Sequence, residues 1–203
     1  MAKKETYHHG DLRRALLDAA LELLSTKDVG SLSLRQGARQ AGVSHTAPYR
    51  HFEDKAALLA AVAEEGFTEF GEYLKAATQE KRADPVASLK ATGVADVRYA
   101  LDHPTHFRIM FGCFPAEEPA GSNLFKVSQG TFQILVDIIK QGQTTGVVRQ
   151  GDPKALALSR WSLVHGLSML LLDGMLPAKG EAALTLADSL VTDSLTSLLA
   201  WQG

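Results

Sequence analysis

Between residues 33 and 55 the chain gathers side chains that donate hydrogen bonds or carry positive charge: Ser33, Arg35, Ser44, His45, Thr46, Tyr49, Arg50, His51 and Lys55. That chemistry suits a polyanion. Hydroxyls and a helix N-terminus donate to phosphate oxygens, and lysine adds charge, which are roles for Ser33, Tyr49, His51 and Lys55. Arg35, Ser44, His45, Thr46 and Arg50 are candidates for base edges or nearby phosphates. Arginine forks onto guanine, and the threonine methyl meets a thymine methyl. Tyr49 and His51 can also close off a local core. Arg13, Arg14 and Arg39 can belong to ordinary solvated faces.

Helices must position these groups. Leu12, Ala15, Leu16, Ala19, Leu23 and Leu24 recur at helical spacing, with Asp11 available as N-cap and Gly30 at the end. A short helix follows over 33–41, opened by the Ser33/Gln36 spacing of a capping box. Gly42-Val43-Ser44 makes a tight turn, and a third short helix is predicted to run to about Phe52, with Ser44 as its N-cap and Ala47 and Phe52 facing inward. Two short helices joined this way form a helix-turn-helix, in which the first braces the second against the major groove. Asp54 can cap a long fourth helix through Leu58, Leu59, Val62, Phe67, Phe70 and Leu74. Prolines at 85, 104 and 153 sit at helix starts and divide the remainder into segments 85–103, 104–111, 122–145, 153–176 and 181–201, with 112–121 as a loop. No alternating strand pattern is present, so the expected class is all-α.

Composition narrows the function. The 203 residues are 45% hydrophobic and 22% charged, as expected of a globular chain. Net charge is −2, yet residues 1–50 hold eight Lys/Arg against five Asp/Glu, a local +3 on a body of −5. A basic first quarter favours a polyanion partner. One cysteine, Cys113, excludes an internal disulfide and a multi-thiolate metal site. No apolar run follows the basic N-terminus. The most apolar stretch, 156–172, is interrupted by Arg160 and His165 and reads as a buried core helix with no membrane role. The expected location is cytoplasmic. Enzymatic patterns are missing: no H-E-x-x-H, G-x-S-x-G, phosphate loop or dinucleotide fingerprint occurs. No orienting group can be assigned to Cys113, and neither a cofactor nor a metal is expected.

The motifs Ala41-Gly42-Val43-Ser44, Tyr49-Arg50-His51-Phe52 and Lys55-Ala56-Ala57-Leu58-Leu59 resemble the tetracycline-repressor (TetR) family. So does the opening Tyr7-His8-His9-Gly10-Asp11-Leu12-Arg13, and Trp161-Ser162-Leu163-Val164-His165-Gly166 resembles the W-x-x-x-H-G signature of a TetR-type C-terminal domain. The resemblance implies about nine helices, a helix-turn-helix DNA-binding domain over 1–55 and a ligand-binding and dimerisation domain over 56–203. It also implies a homodimeric repressor, bound to a palindromic double-stranded DNA operator and released by a small-molecule effector. It supports phosphate contacts at Ser33, Tyr49, His51 and Lys55. The last two helices pair between subunits in the family, which makes 153–176 and 181–201 the dimer candidates. Two positions depart from the family pattern. Gly37 stands where an aliphatic residue is usual, at a cost of about 1 kcal/mol relative to alanine in a helix. Pro48 stands inside the recognition helix, near enough to its start for the missing N–H to matter least.

The second half is less legible. Phe107, Met110, Phe111, Phe132, Trp161 and Met169 are candidates to line an apolar effector cavity, with Phe114 beside them and His165 as a polar handle. Aromatics at helical spacing also serve as plain core. His103 and His106 can share a helix face near Asp102 and Glu117-Glu118, a weak pattern for a metal. The rival functions are a helical ligand-binding protein or enzyme on the same fold without operator binding, and an activator.

Overall fold

The structure, a computed structural model, describes residues 9–26, 29–112 and 121–199. Eight α-helices follow one another among these residues: α1 (His9–Thr26), α2 (Leu34–Gln40), α3 (Lys55–Thr78), α4 (Pro85–Asp102), α5 (Pro104–Gly112), α6 (Asn123–Thr144), α7 (Pro153–Leu172) and α8 (Glu181–Leu195). They contain no strand beyond one isolated bridge, Val148 to Leu199. The all-α expectation holds. Tyr7-His8, Cys113, Phe114 and Glu117-Glu118 lie outside the described residues.

Local sequence explains most boundaries. Asp54 accepts from the Ala57 amide at 2.8 Å and opens α3. Asp84, Ser122 and Asp152 do the same for α4, α6 and α7. Pro85 and Pro153 occupy first-turn positions, where their missing N–H is harmless. Three ends differ from the sequence expectation. The helix α1 already starts at His9, so Asp11 stands inside it. The run over 153–176 stops at Leu172, where Gly174 takes a left-handed φ of 68° and the Met175 amide bonds the Leu170 carbonyl at 3.0 Å. The run over 181–201 ends at Leu195 and continues as turns.

Packing ties the two ends of the molecule together through α3. One apolar cluster runs from Leu16, Leu17, Leu34 and Phe52 along Leu58, Val62 and Phe67 to Phe70, Tyr99 and Phe107. The central helix α4 packs against α3, α6, α7 and α8. Gly93 permits the α4–α8 crossing, because a Cβ there would lie 2.8 Å from Val191 Cγ2. Among the described residues α7 alone is long and apolar enough to cross a membrane, yet Leu156, Val164, Leu167 and Leu171 are buried in the protein.

Candidate functional site

The polar face of residues 33–55 rests on α2 and the turn after it. Ser33 caps α2, accepting from the Gln36 amide at 3.2 Å and donating to Gln36 Oε1 at 3.0 Å. Gln36 thus returns to the serine hydroxyl. Gly42, with φ of 67°, lets the chain reverse, and Val43 N–H bonds the Ala38 carbonyl at 2.9 Å. Val43 then packs against the cluster of α1 and α3.

The expected third helix is not an α-helix. Residues 45–47 form turns, and Pro48–Arg50 is a single 3-10 turn. Ala47 N–H bonds Ser44 O at 3.0 Å, Arg50 N–H bonds Ala47 O at 3.2 Å and His51 N–H bonds Pro48 O at 2.9 Å. The cause is Pro48. It supplies no N–H for the Ser44 carbonyl, and in an α-helix its ring would collide with that carbonyl. Ser44 therefore does not act as an N-cap; its hydroxyl shares a 3.3 Å hydrogen bond with Thr46. Pro48 takes the inward place expected of Ala47, buried together with Phe52.

The outward set survives this change. Arg35, Ser44, His45, Thr46, Tyr49 and Arg50 are exposed, and His51 is half-buried. Tyr49 is 53% exposed, too open to close off a core. Lys55 is placed differently from a bare cation: its Nζ donates to the carbonyls of Val29 and, at 3.3 Å, Gly30. Arg14 is a structural clamp, pairing with Asp18 and Glu65 at 2.6 Å each.

A cavity of about 390 Å³ opens between α3, α4, α6 and α7. Of the apolar candidates, Phe111, Phe132 and Trp161 line it, while Phe107, Met110, His165 and Met169 do not. Phe107 is fully buried behind the wall, stacked on His165 at 5.1 Å between centroids. Met110 packs over Gly66, where a Cβ would lie 2.6 Å from its sulfur. His165 also touches Phe111 at 4.5 Å and Trp161 at 5.4 Å, so its ring belongs to an aromatic cluster, and burial lowers its pKa.

Sequence reasoning missed the polar groups on this wall. Asp96 is 4% exposed and accepts a 2.9 Å hydrogen bond from Ser168 Oγ. Burial pushes its carboxyl up to about 7. Arg160 is 5% exposed. Its Nη2 donates to the Val191 carbonyl at 2.9 Å and its Nη1 to Ser194 Oγ, while Nε has no hydrogen-bond partner among the described residues. Burial lowers the guanidinium to about 10. The available signal was a charge inside an apolar helical run, which needs a partner or a purpose.

The histidine pair finds a different acid from the one expected. His103 Nδ1 lies 3.8 Å from Glu69 Oε2, and ligand-capable atoms of Glu69, His103 and His106 fall within 4.8 Å of one another. Asp102 instead accepts from the Tyr73 hydroxyl at 2.8 Å.

Comparison with known proteins agrees with this architecture. The profile for bacterial regulatory proteins of the tetR family matches residues 16–62, and that for the tetracyclin repressor-like C-terminal domain matches residues 89–194, more than half of the chain. The HTH-type transcriptional regulator AcrR of Shigella flexneri is 34% identical over 90 residues, 44% of this chain and 42% of the relative. SrpR of Pseudomonas putida, another HTH-type transcriptional regulator, is 40% identical over 62 residues, 30% of this chain and 29% of the relative. The chain thus aligns with less than half the length of these curated relatives. A solved structure from Rhodococcus sp. RHA1, of a protein with unknown function, is 35% identical with a TM-score of 0.79, covering 98% of this chain and all of that one. A bacterial regulatory protein in the tetR family from Rhodococcus RHA1 shares the fold, with a TM-score of 0.74 at 22% identity over 94% of this chain and 98% of that one. The chain belongs to the TetR family of bacterial transcriptional regulators.

Proposed function

We propose that this protein is a cytoplasmic, homodimeric repressor that binds a palindromic DNA operator through residues 1–55 and is released by a small molecule held within residues 56–203. One observation carries the reading. Ser44, His45, Thr46, Tyr49 and Arg50 stand exposed together on a scaffold fixed from below by Pro48 and Phe52. Tyr49 and His51 supply phosphate donors, Ser33 reaches a phosphate only by giving up its hydrogen bond to Gln36 Oε1, and Lys55 keeps a third N–H and its charge for the same purpose. Arg35 and Arg50, with Ser44, His45 and Thr46, serve for base edges or nearby phosphates. No catalytic role is assigned to any residue.

A second copy has a natural seat on α7. Leu163 and Leu170 are exposed there, 45% each, as is Leu190 of α8 at 39%. Gly166 on the same helix has open space around it, which lets another helix approach closely. A two-fold pair would set two recognition surfaces about 34–36 Å apart, or a multiple, on one side of the duplex.

Release runs through α3. Its 24 residues span about 36 Å. Lys55 at one end grips the Val29–Gly30 turn, while Phe67, Phe70 and Leu74 line the cavity further along. A ligand that fits the released tilt better than the DNA-bound one shifts the equilibrium by its differential affinity, about 1–3 kcal/mol in typical couplings. The test is an electrophoretic shift with fragments of the source genome. A retarded complex that is lost on Arg50→Ala supports operator binding. Failure to select any fragment assigns the chain to the ligand-binding alternative.

A further inference from the structure

The cavity wall is mostly apolar, with Thr92, Ser128, Gln129 and Thr131 as neutral polar residues, and its two ionisable side chains, Asp96 and Arg160, select a ligand. Arg160 carries a cation in the wall of α7, more than nine-tenths buried. No carboxylate lies within ion-pair distance of it among the described residues. Both of its bonded partners, the Val191 carbonyl and Ser194 Oγ, are neutral. They fix the guanidinium to α8 without balancing its charge. Its Nε has no hydrogen-bond partner among the described residues. A buried cation in that condition is costly unless an anion completes it, and the flat guanidinium edge matches a carboxylate with two parallel hydrogen bonds.

The other ionisable side chain is Asp96, held by Ser168. Ser168 lies eight residues beyond Arg160 on α7, a rise of about 12 Å. The same wall carries the rings of Phe67, Phe70, Phe132 and Trp161. We infer that the effector is an apolar or aromatic carboxylic acid, its carboxylate on Arg160 and its body among these rings, with room for a hydroxyl or amide N–H at the Asp96 end. A cationic ligand is disfavoured at the Arg160 end, where it would meet a guanidinium whose bonded partners are both neutral. This inference rests on the reading of the cavity as the effector site, but its test contains no DNA.

The full chain is titrated by calorimetry and by Trp fluorescence with matched probes: 4-phenylbutyrate, decanoate, and the primary alcohol and primary amine of each skeleton. At least one acid is expected to bind saturably and tenfold or more tighter than its alcohol, with the amine weakest. In Arg160→Met, which replaces the buried cation with a shorter, flexible apolar side chain, acid and alcohol should bind within about twofold of each other. Arg160→Lys should restore part of the preference. Phe132→Trp, which narrows the cavity and leaves Arg160 in place, should weaken acid and alcohol together. Equal binding of acid and alcohol to the unmodified protein, a preference for the amine, or no saturable acid binding overturns the inference whatever the variants do. An acid preference that survives in a folded Arg160→Met protein overturns it too. If an acid binds as expected yet fails to release operator, the ligand class stands and the release mechanism falls.

Discussion

Ser168 Oγ on α7 donates to the Asp96 carboxylate on α4 across 2.9 Å, deep inside the protein and with no cation within ion-pair reach among the described residues. One hydroxyl is little compensation for a buried charge, so the carboxyl holds its proton up to about 7 against an ordinary 3.8. The folded state therefore binds a proton that the unfolded chain has released. Stability contributed by this site is present below about pH 4, declines as pH rises between about 4 and 7, and stays lost above, at up to about 1.4 kcal/mol per pH unit. Asp96→Asn should remove that slope. Its melting temperature is expected to exceed that of the unmodified protein at pH 8 and to match it near pH 4. A difference constant across that range would show that Asp96 is ionised in the fold.

Gly37 lies in α2 with no heavy atom within 4 Å of where a Cβ would stand. Gly37→Ala should stabilise the helix by about 1 kcal/mol by restricting the unfolded chain, with no clash to offset the gain. Urea unfolding measures it. An unchanged or lower midpoint would mean that the glycine meets a requirement beyond helix propensity.

Lys55 and Arg50 should separate grip from reading. Lys55→Met is expected to weaken binding to all sequences alike and to lower the salt slope by about one unit. It should also lower thermal stability, because the Val29 and Gly30 carbonyls lose their donor. Arg50→Ala should cost about 1–3 kcal/mol at a single base position. Selection from randomised operators compares the two, and an unchanged preference for the Arg50 variant would make that residue a phosphate contact.

Charge placed on the outward side of α7 should split the dimer without unfolding the subunit. Leu163→Glu is expected to sediment as a monomer, to keep native far-ultraviolet circular dichroism and to lose operator affinity. Leu195 cannot serve for this test: it is 4% exposed in the core beside Leu89 and Val136, and a glutamate there would unfold the chain. A dimeric Leu163→Glu protein would move the interface elsewhere.

The helical plan was legible because the cap at Asp54 and the prolines at Pro85 and Pro153 act within a few residues of themselves, whereas the caps Asp84 and Asp152 were not singled out. The polar set at 44–50 was legible too, since exposure follows from residue type. The conformation carrying it was not. Pro48 reads as tolerable from its distance to Ser44, and only the hydrogen-bond pattern reveals that the α-helix never forms. The cavity wall was legible where side chains are large, at Phe111, Phe132 and Trp161. Which of two adjacent aromatics faces a void and which faces a neighbour depends on helix rotation, so Phe107 and Met110 could not be told from them. Asp96 and Arg160 were obscured by apolar neighbours, and their meaning emerges only when α4, α7 and α8 are brought together.

Arg160 belongs to α7, faces the cavity and is tethered to Val191 and Ser194 of α8. A ligand bound to Arg160 would therefore touch α8 through one side chain. If α7 and α8 also hold the second subunit, occupancy and subunit association are thermodynamically linked, and with one site per subunit the dimer dissociation constant would change by the square of the factor by which dilution changes effector affinity. The protein would then report two quantities through one guanidinium: the amount of ligand in the cell, and the amount of itself.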